Sequence, residues 1–252
     1  MTANYGEENE DSPINDFERH KQYQSIDGEL LWINQCRADI CFATNLTCQR
    51  MSKSSKDDFK ALVNIGKYLA KQPERGLIWH RGRPGQILRT YAYCDSAIKT
   101  STPTSGWATF LGQPDFVNHI NRNAAVNFRS KKEHIKVYST LDGEMLAIGR
   151  AANDCIGIQN FRSEIGFPQE GPSIIFTDSQ VAIRFLTSDG KTPNMQTRHL
   201  QRRAEVIKQY ITDGRIKLVF VPSKLNCADV LTKPLQGALF DRHVANLMGA
   251  VA

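Results

Sequence analysis

The run SIIFTDSQVAIRFL, from Ser173 to Leu186, limits the architectures open to this chain more than any other stretch. Ile174, Ile175 and Phe176 are consecutive apolar residues, the pattern of a strand covered on both faces. The SQVAIRFL that follows spaces Val181, Ile183 and Leu186 for a helix packed on a core. A buried strand feeding directly into a helix is the unit of an open α/β sheet, and such sheets collect their chemistry outside the carboxyl ends of their strands. Asp178 stands at that end. Taken alone it reads equally well as a helix cap, accepting hydrogen bonds from free first-turn N–H groups.

Composition narrows the class. The 252 residues, 40% hydrophobic and 23% charged, suffice for one large globular domain or two small ones. No apolar run approaches the ~20 residues of a membrane span. The acidic start MTANYGEENEDS lacks a charged-then-apolar leader, so an intracellular, non-secreted protein, cytoplasmic or nuclear, is expected. A formal charge of +6, with acids crowded at the amino terminus, leaves the remaining chain more basic and points to a polyanionic partner. The six cysteines form no Cys-x-x-Cys pair and read as reduced thiols in packed positions.

Three regions follow from the pattern. Residues 1–22 read as a disordered acidic tail. Residues 23–85 read as mainly helical: one helical stretch broken near Arg37 to Asp39, then a second in which Ser55 is a candidate cap and Phe59, Leu62, Ile65 and Leu69 form an apolar stripe. Lys56, Lys60, Lys67 and Lys71 share another face of that helix, either as a solvated surface or as a stripe that tracks phosphates. GLIWH and QILRTYAYCD around RGRPG read as a strand pair. From residue 86 to 252 the expected order is three strands, helix, strand, two helices, strand, helix, a mixed five-stranded sheet with helices on both faces.

Three more acids fall where they could face Asp178. Asp95 closes the strand TYAYCD, Glu144 lies in the first turn of a long helix, and Asp229 in the first turn of the last one. Glu144 and Asp229 are each also readable as helix-dipole partners. Four carboxylates at one sheet edge would repel one another unless cations lay between them. Oxygen donors in that number, without His or Cys at ligand spacing, suit Mg²⁺ or Mn²⁺. Two such ions are a known device for in-line attack on a phosphodiester.

The stretches LLWINQCRADICFATN, RMSKSSKDDFKAL, TSGWATFLG, FRSKKE, EIGFPQEGPSIIFTDSQVAI, QTRHL and CADVLTKPL, in that order, resemble the carboxyl-terminal part of the polyprotein of copia-type long-terminal-repeat retrotransposons. That part is the end of a reverse transcriptase followed by a ribonuclease H domain. The resemblance implies a ribonuclease H-like fold after a remnant of the thumb and connection in residues 23–85. It implies that Asp95, Glu144, Asp178 and Asp229 bind two Mg²⁺ ions, or Mn²⁺, and cleave the RNA strand of an RNA·DNA hybrid. Asp95 would bridge both ions, Asp229 would help hold the one that activates water, and Glu144 with Asp178 the other. Residues expected to meet the nucleic acid are Lys56, Lys60, Lys67, Lys71, Ser130, Lys131, Arg198, Arg202 and Asn226.

The chain departs from that family's pattern at several points. The loop after Asp95 is the short SAIKTSTP. Gly143 precedes Glu144 where the family favours Ala. The connection between FLG and VNFRSKK is about eight residues longer. No His precedes Asp229, where VPSKLNCAD offers Ser223, Lys224 and Asn226, and His199 is expected to be packed or phosphate-facing. No Tyr-x-Asp-Asp turn occurs, so no polymerase palm is expected. The alternatives are a catalytically inactive nucleic-acid-binding remnant and a relic that mediates only partner contacts.

Overall fold

A computed structural model of the chain describes residues 17–82, 85–99, 101–188 and 198–250, with the side chains of Phe17 and residues 198–203 left out. It divides into two compact units, Met1–Leu77 and Ile78–Ala252.

The first unit is helical. α1 (Phe17–Ile33), α2 (Cys41–Cys48) and α3 (Lys56–Lys71) surround a small core of Tyr23, Leu30, Ile40, Leu62 and Ile65. α1 starts at Phe17, so residues 17–22 are helical and not part of a disordered tail; residues 1–16 lie outside the described residues. The reason is tertiary: Tyr23 is fully buried and its hydroxyl donates to the Thr47 carbonyl at 2.8 Å, which ties the first helix to the second. α3 opens on a capping box in which Ser55 and Asp58 each satisfy the other's backbone N–H. The apolar stripe read from the sequence packs inward, leaving Lys56, Lys60, Lys67 and Lys71 exposed.

The second unit is the expected sheet. Its strands are β1 (Arg89–Ala97), β2 (Thr104–Gly112), β3 (Asn127–Lys132), β4 (Ser173–Thr177) and β5 (Ile216–Phe220). They lie in the order β3-β2-β1-β4-β5, with β1–β2 and β2–β3 antiparallel and β1–β4 and β4–β5 parallel. The helices are α4 (Thr140–Glu164), α5 (Gln180–Thr187), α6 (Arg198–Thr212) and α7 (Gly237–Met248). Ala92, Cys94 and Ile175 point into a core with Met145, Ile148 and Cys155 of α4, joined by Ala204 and Ile207 of α6. Alternate residues take the opposite face, where Tyr91 stacks on Phe110 at 5.2 Å and Tyr93 on Phe176 at 4.7 Å.

Three local readings are corrected. GLIWH is not a strand: the Ile78 backbone bonds to Met248 and Ala124 in an irregular crossing, and Trp79 stays 54% exposed. Asp229 does not open the last helix. It sits on a 3-10 turn, Cys227–Leu231, and α7 begins only at Gly237, beyond Pro234. Of the cysteines, all free, Cys36 is exposed and not packed, because it lies in the turn after α1.

That 3-10 turn crosses the sheet at Gly106, the β2 partner of Asp95. A methyl group at Gly106 would come within 2.6 Å of Thr232 Cγ2 and 2.8 Å of Leu231 Cβ. Gly106→Ala should therefore lower unfolding stability by about 1–3 kcal/mol, the scale of overpacking a tight contact. Urea denaturation should show it as a lower midpoint with an unchanged slope.

Candidate metal centre at the ends of the central strands

Strand pairing brings the first two acids together. In the parallel β1–β4 pair Tyr93 lies opposite Phe176, so Asp95 and Asp178, each two residues further on, leave adjacent strands at the same level. Adjacent strands are about 4.8 Å apart, close enough for the two carboxylates to share a cation. Asp229 arrives from the 3-10 turn. Carboxylate oxygens of Asp95, Asp178 and Asp229 all lie within 4.8 Å of one another, and Asp95 and Asp229 are only 2% and 7% exposed.

None of these acids is spent on a helix cap. Ser179, not Asp178, caps α5 by accepting from Ala182 N–H at 3.2 Å. α4 is capped by Ser139, and the acid of its first turn is Asp142; Glu144 lies just past that first turn, in which the sequence reading had placed it. Glu144 Oε2 is buried with no hydrogen-bond partner among the described residues. Burial, and then the charges of Asp95 and Asp178, push its carboxyl up to about 9, with Lys233 opposing. Asp229 is raised to about 6, by burial first and Asp95 next, again with Lys233 opposing.

Neighbouring hydroxyls fix the other carboxylates. Ser223 donates to Asp178 Oδ2 at 2.7 Å, and Thr232 donates to Asp95 Oδ2. Lys233 Nζ is 3.2 Å from Asp95 Oδ2 and 3.2 Å from Asp229 Oδ1. The sequence reading missed Thr232 and Lys233. The signal was a lysine four residues after a candidate ligand, in CADVLTKPL.

An all-carboxylate donor set with one orphaned buried oxygen fits a hard divalent cation such as Mg²⁺ or Mn²⁺.

The residues expected to meet nucleic acid divide. Lys56, Lys60, Lys67 and Lys71 are exposed on α3, with Lys60 paired to Asp57. Ser130 and Lys131 are half-buried on β3, and Ser130 pairs with Gly106, which pairs with Asp95, so all three share one cross-strand row. The side chains of Arg198, His199 and Arg202 lie outside the described residues. Asn226 is a correction. It is fully buried, its amide donating to the Cys94 carbonyl at 3.0 Å and accepting from Ala228 N–H at 3.2 Å, so it anchors the turn that carries Asp229 and cannot touch a ligand.

Sequence comparison gives this geometry its relatives. No protein-family model matches the chain. It is 25% identical over 223 residues to the Retrovirus-related Pol polyprotein from transposon RE2 of Arabidopsis thaliana, covering 87% of this chain and 14% of that protein. It is 26% identical over 215 residues to the Retrovirus-related Pol polyprotein from transposon TNT 1-94 of Nicotiana tabacum, covering 84% and 15%. The chain thus spans about one seventh of the length of these relatives. Similar solved structures include LC11-RNase H1 in complex with an RNA/DNA hybrid, at TM-score 0.42 and 16% identity over 57% of this chain and 94% of that one. A foamy viral protease-reverse transcriptase in complex with dsDNA has TM-score 0.44 and 13% identity over 81% and 38%. Among the described residues no helix is long and apolar enough to cross a membrane.

The raised carboxyls make the metal-free chain sensitive to alkali. The unfolded chain ionises Glu144 above about 4.5 and the folded chain only near 9, so the folded form holds the proton more tightly and loses stability as pH rises between those values. Asp229 adds to the loss between 3.8 and about 6. With chelator present, the melting temperature should fall from about pH 5 to about pH 9, and Glu144→Gln should flatten most of that slope above pH 6. Over nearly all of its length, the chain is a homologue of the retrovirus-related Pol polyproteins of copia-type transposons.

Proposed function

We propose that residues 78–252 form a divalent-metal-dependent ribonuclease H that cuts the RNA strand of an RNA·DNA hybrid. The observation that carries this reading is the meeting of Asp95, Asp178 and Asp229 oxygens within 4.8 Å, with a buried, unpartnered Glu144 carboxylate oxygen beside them. Such a gathering of largely buried carboxyl groups is costly in a structure that has no use for it.

Asp95, Asp178, Asp229 and Glu144 would hold the Mg²⁺ or Mn²⁺, which when bound supplies Lewis acidity for attack of water on a phosphodiester. The chain's own groups prepare the centre. The Thr232 and Ser223 hydroxyls orient Asp95 and Asp178, leaving their remaining lone pairs for ligation. Asn226 holds the Asp229 turn on the Cys94 carbonyl. Ser130, two strands from Asp95 on the same row and so about 10 Å away, suits a contact with the hybrid backbone near the scissile phosphate. The exposed lysines of α3 suit contacts with phosphates of a nucleic acid. Preference for RNA would come from 2′-hydroxyl contacts and hybrid shape, and the products would be a 5′-phosphate and a 3′-hydroxyl.

The test is incubation of the full chain with end-labelled RNA·DNA hybrid. Wild-type protein should cleave the RNA strand with Mg²⁺ or Mn²⁺ and not with chelator. Asp178→Asn should slow cleavage by about 10²-fold or more, the scale of losing one preorganised charge from a reacting site. Tight hybrid binding that needs no metal and yields no product would replace this reading with that of an inactive nucleic-acid-binding remnant.

A further inference from the structure

The acidic centre contains a cation of its own. Lys233 Nζ lies 3.2 Å from both Asp95 Oδ2 and Asp229 Oδ1, within ion-pair distance of two of the acids at once. Resting on the reading above, we propose that Lys233 is a built-in counter-ion that bridges Asp95 and Asp229 in the metal-free chain and must be displaced toward solvent when a divalent cation takes the same two carboxylates.

The geometry argues for competition. The ammonium contacts one oxygen of each acid, which is how a small cation would bridge the pair. A hard divalent ion needs those oxygens at about 2.1 Å, so an ammonium left in place would face a double positive charge only a few ångströms away. Both cannot stay.

The chain also allows the exit. The Lys233 backbone is pinned, its N–H donating to the Asp229 carbonyl at 2.9 Å, and Pro234 follows. Its side chain, however, is 38% exposed, against 2% for Asp95 and 11% for Asp229. A flexible four-carbon stem can carry the ammonium outward by rotation about its own bonds without moving the turn. Meanwhile a lone positive charge keeps the buried pair from facing each other as bare anions.

The experiment compares full-length wild type with Lys233→Met and Lys233→Arg in the absence of nucleic acid. Two quantities are read: Mn²⁺ affinity by calorimetry, and melting temperature in chelator. Lys233→Met should bind Mn²⁺ about tenfold more tightly, because no charge need be evicted. In chelator it should melt several degrees lower than wild type, and adding Asp229→Asn should restore the lost melting temperature. Lys233→Arg, which keeps the charge, should stay near wild type in melting. A Lys233→Met chain that folds only with Mn²⁺ present is the strong form of the same result.

Unchanged or weaker Mn²⁺ affinity in Lys233→Met, or unchanged melting in chelator, would overturn the proposal. If neither wild type nor Lys233→Met takes up Mn²⁺, the metal reading itself falls. That outcome is distinct from failure of the lysine proposal, in which both proteins bind Mn²⁺ equally.

Discussion

The close crossing of the Cys227–Leu231 turn over β1 and β2 is the contact on which the centre depends. Two of its acids come from adjacent parallel strands and would meet in any sheet with this register. The third does not belong to a strand. It reaches Asp95 because Asn226 is buried and bonded to the Cys94 carbonyl, and because Gly106 presents no side chain where Leu231 and Thr232 pass. A hydrogen bond from a side-chain amide to a main-chain carbonyl and the absence of one methyl group thus bring together residues more than a hundred positions apart in the chain.

A cluster of carboxylates at that crossing works against folding, and the surroundings show how the chain tolerates it. Beneath it, Ala92, Cys94 and Ile175 pack on α4; on the other face the stacked rings of Tyr91, Phe110, Tyr93 and Phe176 hold the strands in register. The platform is therefore stiff, and the repulsion cannot relax by spreading the strands. It is met instead by protonation of Glu144, whose pKa is driven up to about 9, by the Lys233 charge, and by hydroxyls donated to Asp95 and Asp178. The first two of these responses are the ones a divalent cation would replace, whereas the hydroxyl bonds orient the carboxylates in either state.

Where sequence patterns are local, they were readable. The apolar run ending in Asp178, the stripe of α3 and the long register of α4 each reflect one element burying one face, which periodicity reports directly. The residues that escaped are those whose state is decided by distant partners. Asn226 lies in a polar loop and looked like a surface residue, but its burial follows from a carbonyl 132 positions away in the chain. GLIWH has the composition of a strand, yet β1, the strand it was expected to pair with, already has β2 and β4 on its two sides, and the Ile78 backbone bonds to Ala124 and Met248 instead. Lys233 looked like one basic residue in a basic chain until the turn brought it between two acids.

Gly143 is set by what passes beside it at the end of the strand that carries Asp95. Gly143 sits inside a helix, where glycine costs about 1 kcal/mol relative to alanine. A methyl group there would lie 2.7 Å from Ser96 Oγ and 3.0 Å from Ile98 Cδ1, the one near the end of β1 and the other just beyond it. The end of β1 therefore lies close against the amino-terminal part of α4, and the glycine leaves room for it. Glu144, the next residue, is within electrostatic reach of Asp95 and Asp178. The absence of a side chain at 143 thus lets the strand that bears Asp95 and the helix that bears Glu144 approach closely enough for each carboxyl to feel the other.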